Sequence, residues 1–188
     1  GIPERERVEH DPTGRNDRAE ALIKYWSETE SPIKYGGSMA YYSSTKDEIH
    51  LPEKQDFVDM PEFYSTALHE IGHSTGHEKR LNRNLDGKFG SAEYAEEELR
   101  AEIASMFLEQ DLGVAASEKH IENNSAYISS WKNGIEEDPN VLFKAIADAE
   151  RMTKFVMAKE KEIKRETEPF AVVEETDEYG ETDYKVKM

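Results

Sequence analysis

His69 and His73 stand four residues apart in 69-HEIGHSTGH-77, with Glu70 between them, on a chain that has six histidines and no cysteine. On a helix this spacing projects both imidazoles from one face, one turn apart, where they can share a metal ion. Glu70 follows His69 directly and can reach a metal-bound water without taking a coordination position itself. Zinc suits such a set, because it accepts imidazole nitrogen and carboxylate oxygen and, with three protein ligands, keeps a fourth position for water. The ion lowers the pKa of that water to about 7, and a carboxylate acting as general base completes its activation. The expected chemistry is hydrolysis, with Glu70 as the catalytic carboxylate. Short matches of this type also arise by chance in a Glu-rich chain, so the reading requires the segment to be helical.

Two imidazoles need a third ligand. His77 is again four residues on, but a straight helix carries it a second turn away, and Gly76 is a plausible helix stop. We therefore read His77 as a group that supports the ligands or faces substrate. The better candidates lie in 98-ELRAE-102, where Glu98 and Glu102 share a helix face. One can bind the ion while the other holds a ligating histidine by its second ring nitrogen. The residues alone leave open which does which. The bland alternative for this pair is a solvated acidic face, of which Glu93, Glu96 and Glu97 would also be part. His77, Arg80, Tyr94 and Tyr127 are candidate donors to a developing oxyanion. Met39–Tyr42 could be a sheet edge that holds an extended peptide by strand addition.

These groups must be positioned by the rest of the chain. Asn16 or Asp17 can cap a helix running to about Glu28, with Ala21, Leu22, Tyr25 and Trp26 as its apolar face. Ile33–Tyr35, Met39–Tyr42 and Glu48–Leu51 read as a small antiparallel sheet. A helix over 62–76 carries the histidines, with Phe63, Thr66, Ala67 and Ile71 on its apolar side, and a loop over 80–90 follows. Ser91 can cap a long helix ending at Gly113, and further helices are expected over 118–136 and from Pro139 to about Arg165. The later half of the last is charged on most sides and is expected to stand off the core. Residues 1–13 read as an irregular lead-in, 14–166 as the domain and 167–188 as an acidic tail. The order is helix, small sheet, then helices, which makes the fold class α+β with a helical subdomain after the sheet.

Hydrophobic residues make up 36% and charged residues 35%, with a net charge of −17, so we expect a modest core and well-solvated helices. Such a surface disfavours DNA binding by this chain alone, and no apolar run approaches a membrane span. The absence of cysteine excludes a disulfide framework and fits a cytoplasmic location. A start at Gly1-Ile2-Pro3, without methionine, points to a piece of a longer chain.

The runs AYYSSTKDEIHLP, FYSTALHEIGHSTGHEKRLNR, FGSAEYAEEELRAEIASMFL and AYISSW, in this order, resemble the zincin-like metallopeptidase domain of ArdC-type antirestriction proteins, found in polyvalent proteins of plasmids and phages. The resemblance spans residues 39–150. It implies a gluzincin-like arrangement: His69 and His73 on the metal, Glu70 catalytic, Glu98 as third ligand and Glu102 as its supporting acid. It also implies a separate N-terminal domain for single-stranded DNA, most of which this chain lacks. The function expected is zinc-dependent cleavage of a protein or peptide substrate. The competing reading is a non-catalytic acidic module that occupies a DNA-binding partner such as a restriction enzyme. A third reading makes the metal a structural staple, closed by His77.

Overall fold

A computed structural model of the chain describes residues 14–115, 138–167, 171–176 and 182–187. Helix α1 (Asp17–Thr29) starts where the Asn16 side chain accepts a hydrogen bond from the Ala19 N–H at 2.9 Å. That cap satisfies a donor for which the helix itself has no acceptor. The buried stripe is Ala19, Leu22, Ile23 and Trp26, which is i, i+3, i+4, i+7. The expected stripe was turned slightly: Ala21 is exposed, and Tyr25 is half-buried because its hydroxyl reaches out to donate to Glu162.

Strands β1 (Ile33–Tyr35), β2 (Tyr41–Ser43) and β3 (Glu48–Leu51) form a sheet in the order β1-β3-β2. β2 pairs antiparallel with β3, Tyr41 opposite His50, but β1 runs parallel to β3, Ile33 opposite Ile49. The sheet expected to be antiparallel is therefore mixed. Gly36 and Gly37, at φ of 124° and 77°, carry the chain past the position that β3 later fills. A parallel partner needs such a crossover, and strand texture alone does not reveal it. Ile49 and Leu51 are fully buried while Glu48 and His50 point the other way, the period of a half-buried strand. β2 is left as an edge.

Helix α2 (Met60–Ser74) opens with a reciprocal cap. Asp59 accepts from the Glu62 N–H, and the Glu62 carboxylate accepts from the Val58 N–H, each at 2.8 Å. Phe63, Tyr64, Ala67, Leu68 and Ile71 are buried in a cluster with α1 and the sheet. On the other side Gly72 lies against helix α3 (Ala92–Leu112), which Ser91 caps and a left-handed Gly113 ends. Helix α4 (Pro139–Thr167) covers α3 with Ala145, Ala149 and Met152. Its later half does not stand off the core. Val156 and Glu160 are buried, Arg18 donates to Glu160 at 3.0 Å, and Lys159 meets Glu30 at 3.0 Å. The charges that read as a solvated face find their partners on α1.

The stretch read as an acidic tail carries β4 (Ala171–Thr176) and β5 (Thr182–Lys187), paired antiparallel. The lead-in over 1–13 and the helix expected over 118–136, with Tyr127, lie outside the described residues. Among the described residues no helix is long and apolar enough to cross a membrane. The architecture is α+β, as expected.

Asn16 also donates to the Leu112 carbonyl at 3.1 Å, joining the start of α1 to the end of α3. Asn16→Ala should therefore cost about 1–2 kcal/mol of stability, the upper range for a lost cap, read by urea unfolding. A change within about 0.3 kcal/mol would show that neither bond contributes.

Candidate metal centre

His69 and His73 project from α2 as their spacing requires, and their Nε2 atoms lie 3.1 Å apart. Glu98 of α3 faces both, with one carboxylate oxygen 3.6 Å from His69 Nε2 and the other 3.5 Å from His73 Nε2. Bonds of about 2.0–2.1 Å to a tetrahedral ion set the donors about 3.3 Å from one another; the two imidazole nitrogens have that spacing, and one Glu98 oxygen lies within 4.8 Å of both. Among the described residues, His69, His73 and Glu98 form the group able to hold a metal; His77 is not in it.

The outward ring nitrogens are held as well. His69 Nδ1 lies 3.3 Å from a Glu102 carboxylate oxygen, and His73 Nδ1 lies 3.4 Å from Glu97. Such contacts fix the tautomer that leaves Nε2 free for the ion. Glu102 thus lies against the outward nitrogen of His69. In the sequence Glu97 is one acid among several, but it is buried and supports His73. Its partner is Arg83, whose guanidinium donates to both Glu97 oxygens at 2.6 and 3.2 Å. No spacing rule links residues 83 and 97, which stand on a loop and a helix.

Burial raises the Glu70 carboxyl above its usual range, against the pull of both histidines and a hydrogen bond from the Tyr42 N–H. Burial also works against the ionised Glu97 and Glu98. For Glu97, hydrogen bonds to His73 and Arg83 outweigh it; for Glu98, the histidines and the Tyr94 hydroxyl do, and both carboxyls end low. At His69 burial disfavours the charged ring, yet Glu102, Glu98 and Glu70 outweigh it and push the group up to about 10.

These residues line a cleft of about 330 Å³, with Ala40, Tyr41, Tyr42 and Ser44 of the β2 edge on one wall and Tyr94 on another. The Tyr42 N–H is spent on Glu70, so that carboxylate and the sheet edge are in contact. His77 is turned away from the cleft: its Nδ1 lies 3.5 Å from Asp47. Arg80 is no oxyanion donor either. It is nearly inaccessible, and it donates to Asp47, to the Ser74 carbonyl at 2.7 Å and to the Glu30 carbonyl at 2.9 Å. It braces the β2–β3 turn against the ends of α1 and α2.

Comparison with known proteins adds to this geometry. The family model of the zincin-like metallopeptidases matches residues 17–148. The chain belongs to that family. It is 41% identical over 174 residues to DNA primase TraC of Escherichia coli, covering 92% of this chain and 16% of that protein. It is 33% identical over 164 residues to protein y4eC of Sinorhizobium fredii, covering 87% of this chain and 49% of that protein. The crystal structure of antirestriction ArdC from plasmid R388 in its Mn(II)-bound form superposes with a TM-score of 0.67 at 29% identity, over 85% of this chain and 58% of that one. Its metal-free form gives 0.64, again at 29% identity, over 86% and 57%. The expected likeness to the ArdC type is thus met. The chain spans only part of each of these relatives.

In this zincin-like centre a divalent cation must displace the His69 proton. Ion affinity should therefore rise by about tenfold per pH unit between 6.5 and about 10, read by competition with a chromophoric chelator. Metal-free protein should show the opposite trend. The raised His69 pKa contributes stability that is complete below about 6.5 and lost as pH climbs through about 10, so its thermal midpoint in chelator should fall over that window.

Proposed function

We propose that the chain is a zinc-dependent peptidase domain that hydrolyses peptide bonds, with His69, His73 and Glu98 on the ion and Glu70 as general base. The observation that carries this reading is the position of Glu70: buried in the cleft wall, next to the three converging donors, and outside their set. An ion held by His69, His73 and Glu98 would supply Lewis acidity toward a substrate carbonyl and water. Burial raises the Glu70 carboxyl, which makes its ionised form a stronger base: it takes a proton from the attacking water and passes it to the departing amine. The β2 edge can hold an extended substrate segment by main-chain hydrogen bonds along Ala40–Ser44. Tyr94 lines the cleft and its hydroxyl donates to Glu98, so it would have to release that carboxylate before it could serve a developing oxyanion.

Zinc is preferred over manganese because a donor set of two imidazoles and one carboxylate in near-tetrahedral spacing is typical of catalytic zinc. The antirestriction activity named for ArdC supplies the setting, a domain of a mobile-element protein that acts against a host defence. The net charge of −17 favours one other reading, an acidic decoy that occupies a DNA-binding enzyme without cutting anything.

Glu70→Gln separates the two. The peptidase reading expects ion content to stay at the wild-type level and cleavage of a protein substrate to fall by at least about 10²-fold, followed by mass spectrometry of the fragments. Cleavage that persists in Glu70→Gln would refute the assignment of the base. Protection against restriction that survives Glu70→Gln but fades as salt is raised would favour the decoy.

A further inference from the structure

We infer that Arg83 is a positioning residue for the metal centre: it takes up both carboxylate oxygens of Glu97, so that Glu97 orients His73 and its neighbour Glu98 alone is left for the ion. The inference rests on reading His69, His73 and Glu98 as the ligands. Glu97 and Glu98 are adjacent on α3, and both line the cleft. Two bare carboxylates side by side would compete for one cation, since both are hard oxygen donors. Arg83 breaks that symmetry. Its two bonds to Glu97, at 2.6 and 3.2 Å, form a fork that uses both oxygens of one glutamate and neither of the other.

Arg83 is itself fixed. It donates to the Gly72 carbonyl at 3.1 Å and to Thr75 Oγ1 at 2.7 Å. Gly72 lies in the last turn of α2 and Thr75 caps it, where the helix dipole favours a cation. One guanidinium therefore grips the end of the helix that carries the histidines and a carboxylate of the helix that carries the third ligand. Arg100 also approaches Glu97, but at 3.8 Å, and it is engaged at 2.9 Å with Asp148 and at 2.8 Å with Glu96. The loop that delivers Arg83 runs close beneath: a side-chain carbon on Gly76 would lie 2.7 Å from Leu85 and 3.1 Å from the guanidinium. Gly76, read in the sequence as a helix stop, here makes room for this arginine.

The test is zinc affinity, measured by competition with a chromophoric chelator, for wild type, Arg83→Gln, Arg83→Lys, Glu97→Gln and the double variant Arg83→Gln/Glu97→Gln. The thermal midpoint of each in chelator is recorded alongside. Arg83→Gln and Glu97→Gln should each weaken zinc binding by about 10–100-fold, the usual range when a ligand's supporting partner is lost. The double variant should be no more than about threefold worse than the poorer single, because the arginine acts through the glutamate. Arg83→Lys keeps the charge but loses the fork, and should recover only part of the affinity. Wild-type affinity in Arg83→Gln, or losses in the double variant that multiply, would overturn the inference. If Arg83→Gln does not fold, Arg83→Lys decides alone, and an unchanged zinc affinity in it is the overturning result. Ion affinity reads this inference and cleavage reads the peptidase assignment, so the two fail separately.

Discussion

Helices α2 and α3 meet at Gly72 and Ala101, and the metal centre depends on how close that leaves them. A side-chain carbon on Gly72 would already touch the Ala101 backbone at 3.6 Å and Met152 at 3.4 Å. Anything larger than alanine at position 72 must push the helices apart. Gly72 directly precedes His73, while Ala101 sits between Glu98 and Glu102. The contact therefore lies within one helical turn of both histidines and all three supporting or ligating acids. A small residue in the middle of HEIGH is thus part of the site, because separations of 3.1–3.6 Å between polar atoms leave little slack for a wider helix pair.

Proximity gathers charge, and buried charge is costly unless it is paired. Glu70, Glu97, Glu98 and Glu102 all converge on two imidazoles. Each is answered in a different way. Glu97 has Arg83, Glu102 has His69, and Glu98 has both histidines and the Tyr94 hydroxyl. Glu70 has only weaker company, the Tyr42 N–H and the charges of the histidines, and burial prevails there. Burial therefore raises the Glu70 carboxyl, while the partners of Glu97 and Glu98 hold those two low.

How much of this the sequence disclosed follows from the range of each interaction. The His69–Glu70–His73 set is local to one helix, so spacing alone identifies it. Glu98 and Glu102 also share one helix, and the family pattern separates their roles. Glu97 was lost among acids because its partner lies across a loop, and a helical wheel cannot show that. The same blindness explains α4. Its charged later half looks solvated until Arg18 and Tyr25 of α1, and Glu30 that caps it, are set beside it. The mixed sheet was hidden for a related reason: β1 finds its neighbour only after the chain has passed through β2. His77 and Arg80 carry the right chemistry for an active site, but Asp47 claims both, from a turn that the strand pattern marks only as a break.

The segment 80-RLNR-83 then acquires a role that its loop-like composition concealed. Arg80 ties the β2–β3 turn to the ends of α1 and α2, and thereby fixes the wall on which a substrate strand would lie. Arg83 ties the end of α2 to Glu97 of α3, and thereby fixes the wall that holds the ion. Both arginines use the carbonyl-rich C-terminus of α2 as their anchor, at Ser74 and at Gly72. The free end of the histidine helix is thus the common reference for both sides of the cleft. A shift of that end would move the sheet edge and Glu97 together, so the spacing between the β2 edge and the His69–His73–Glu98 cluster is held by one short loop rather than by the two walls independently.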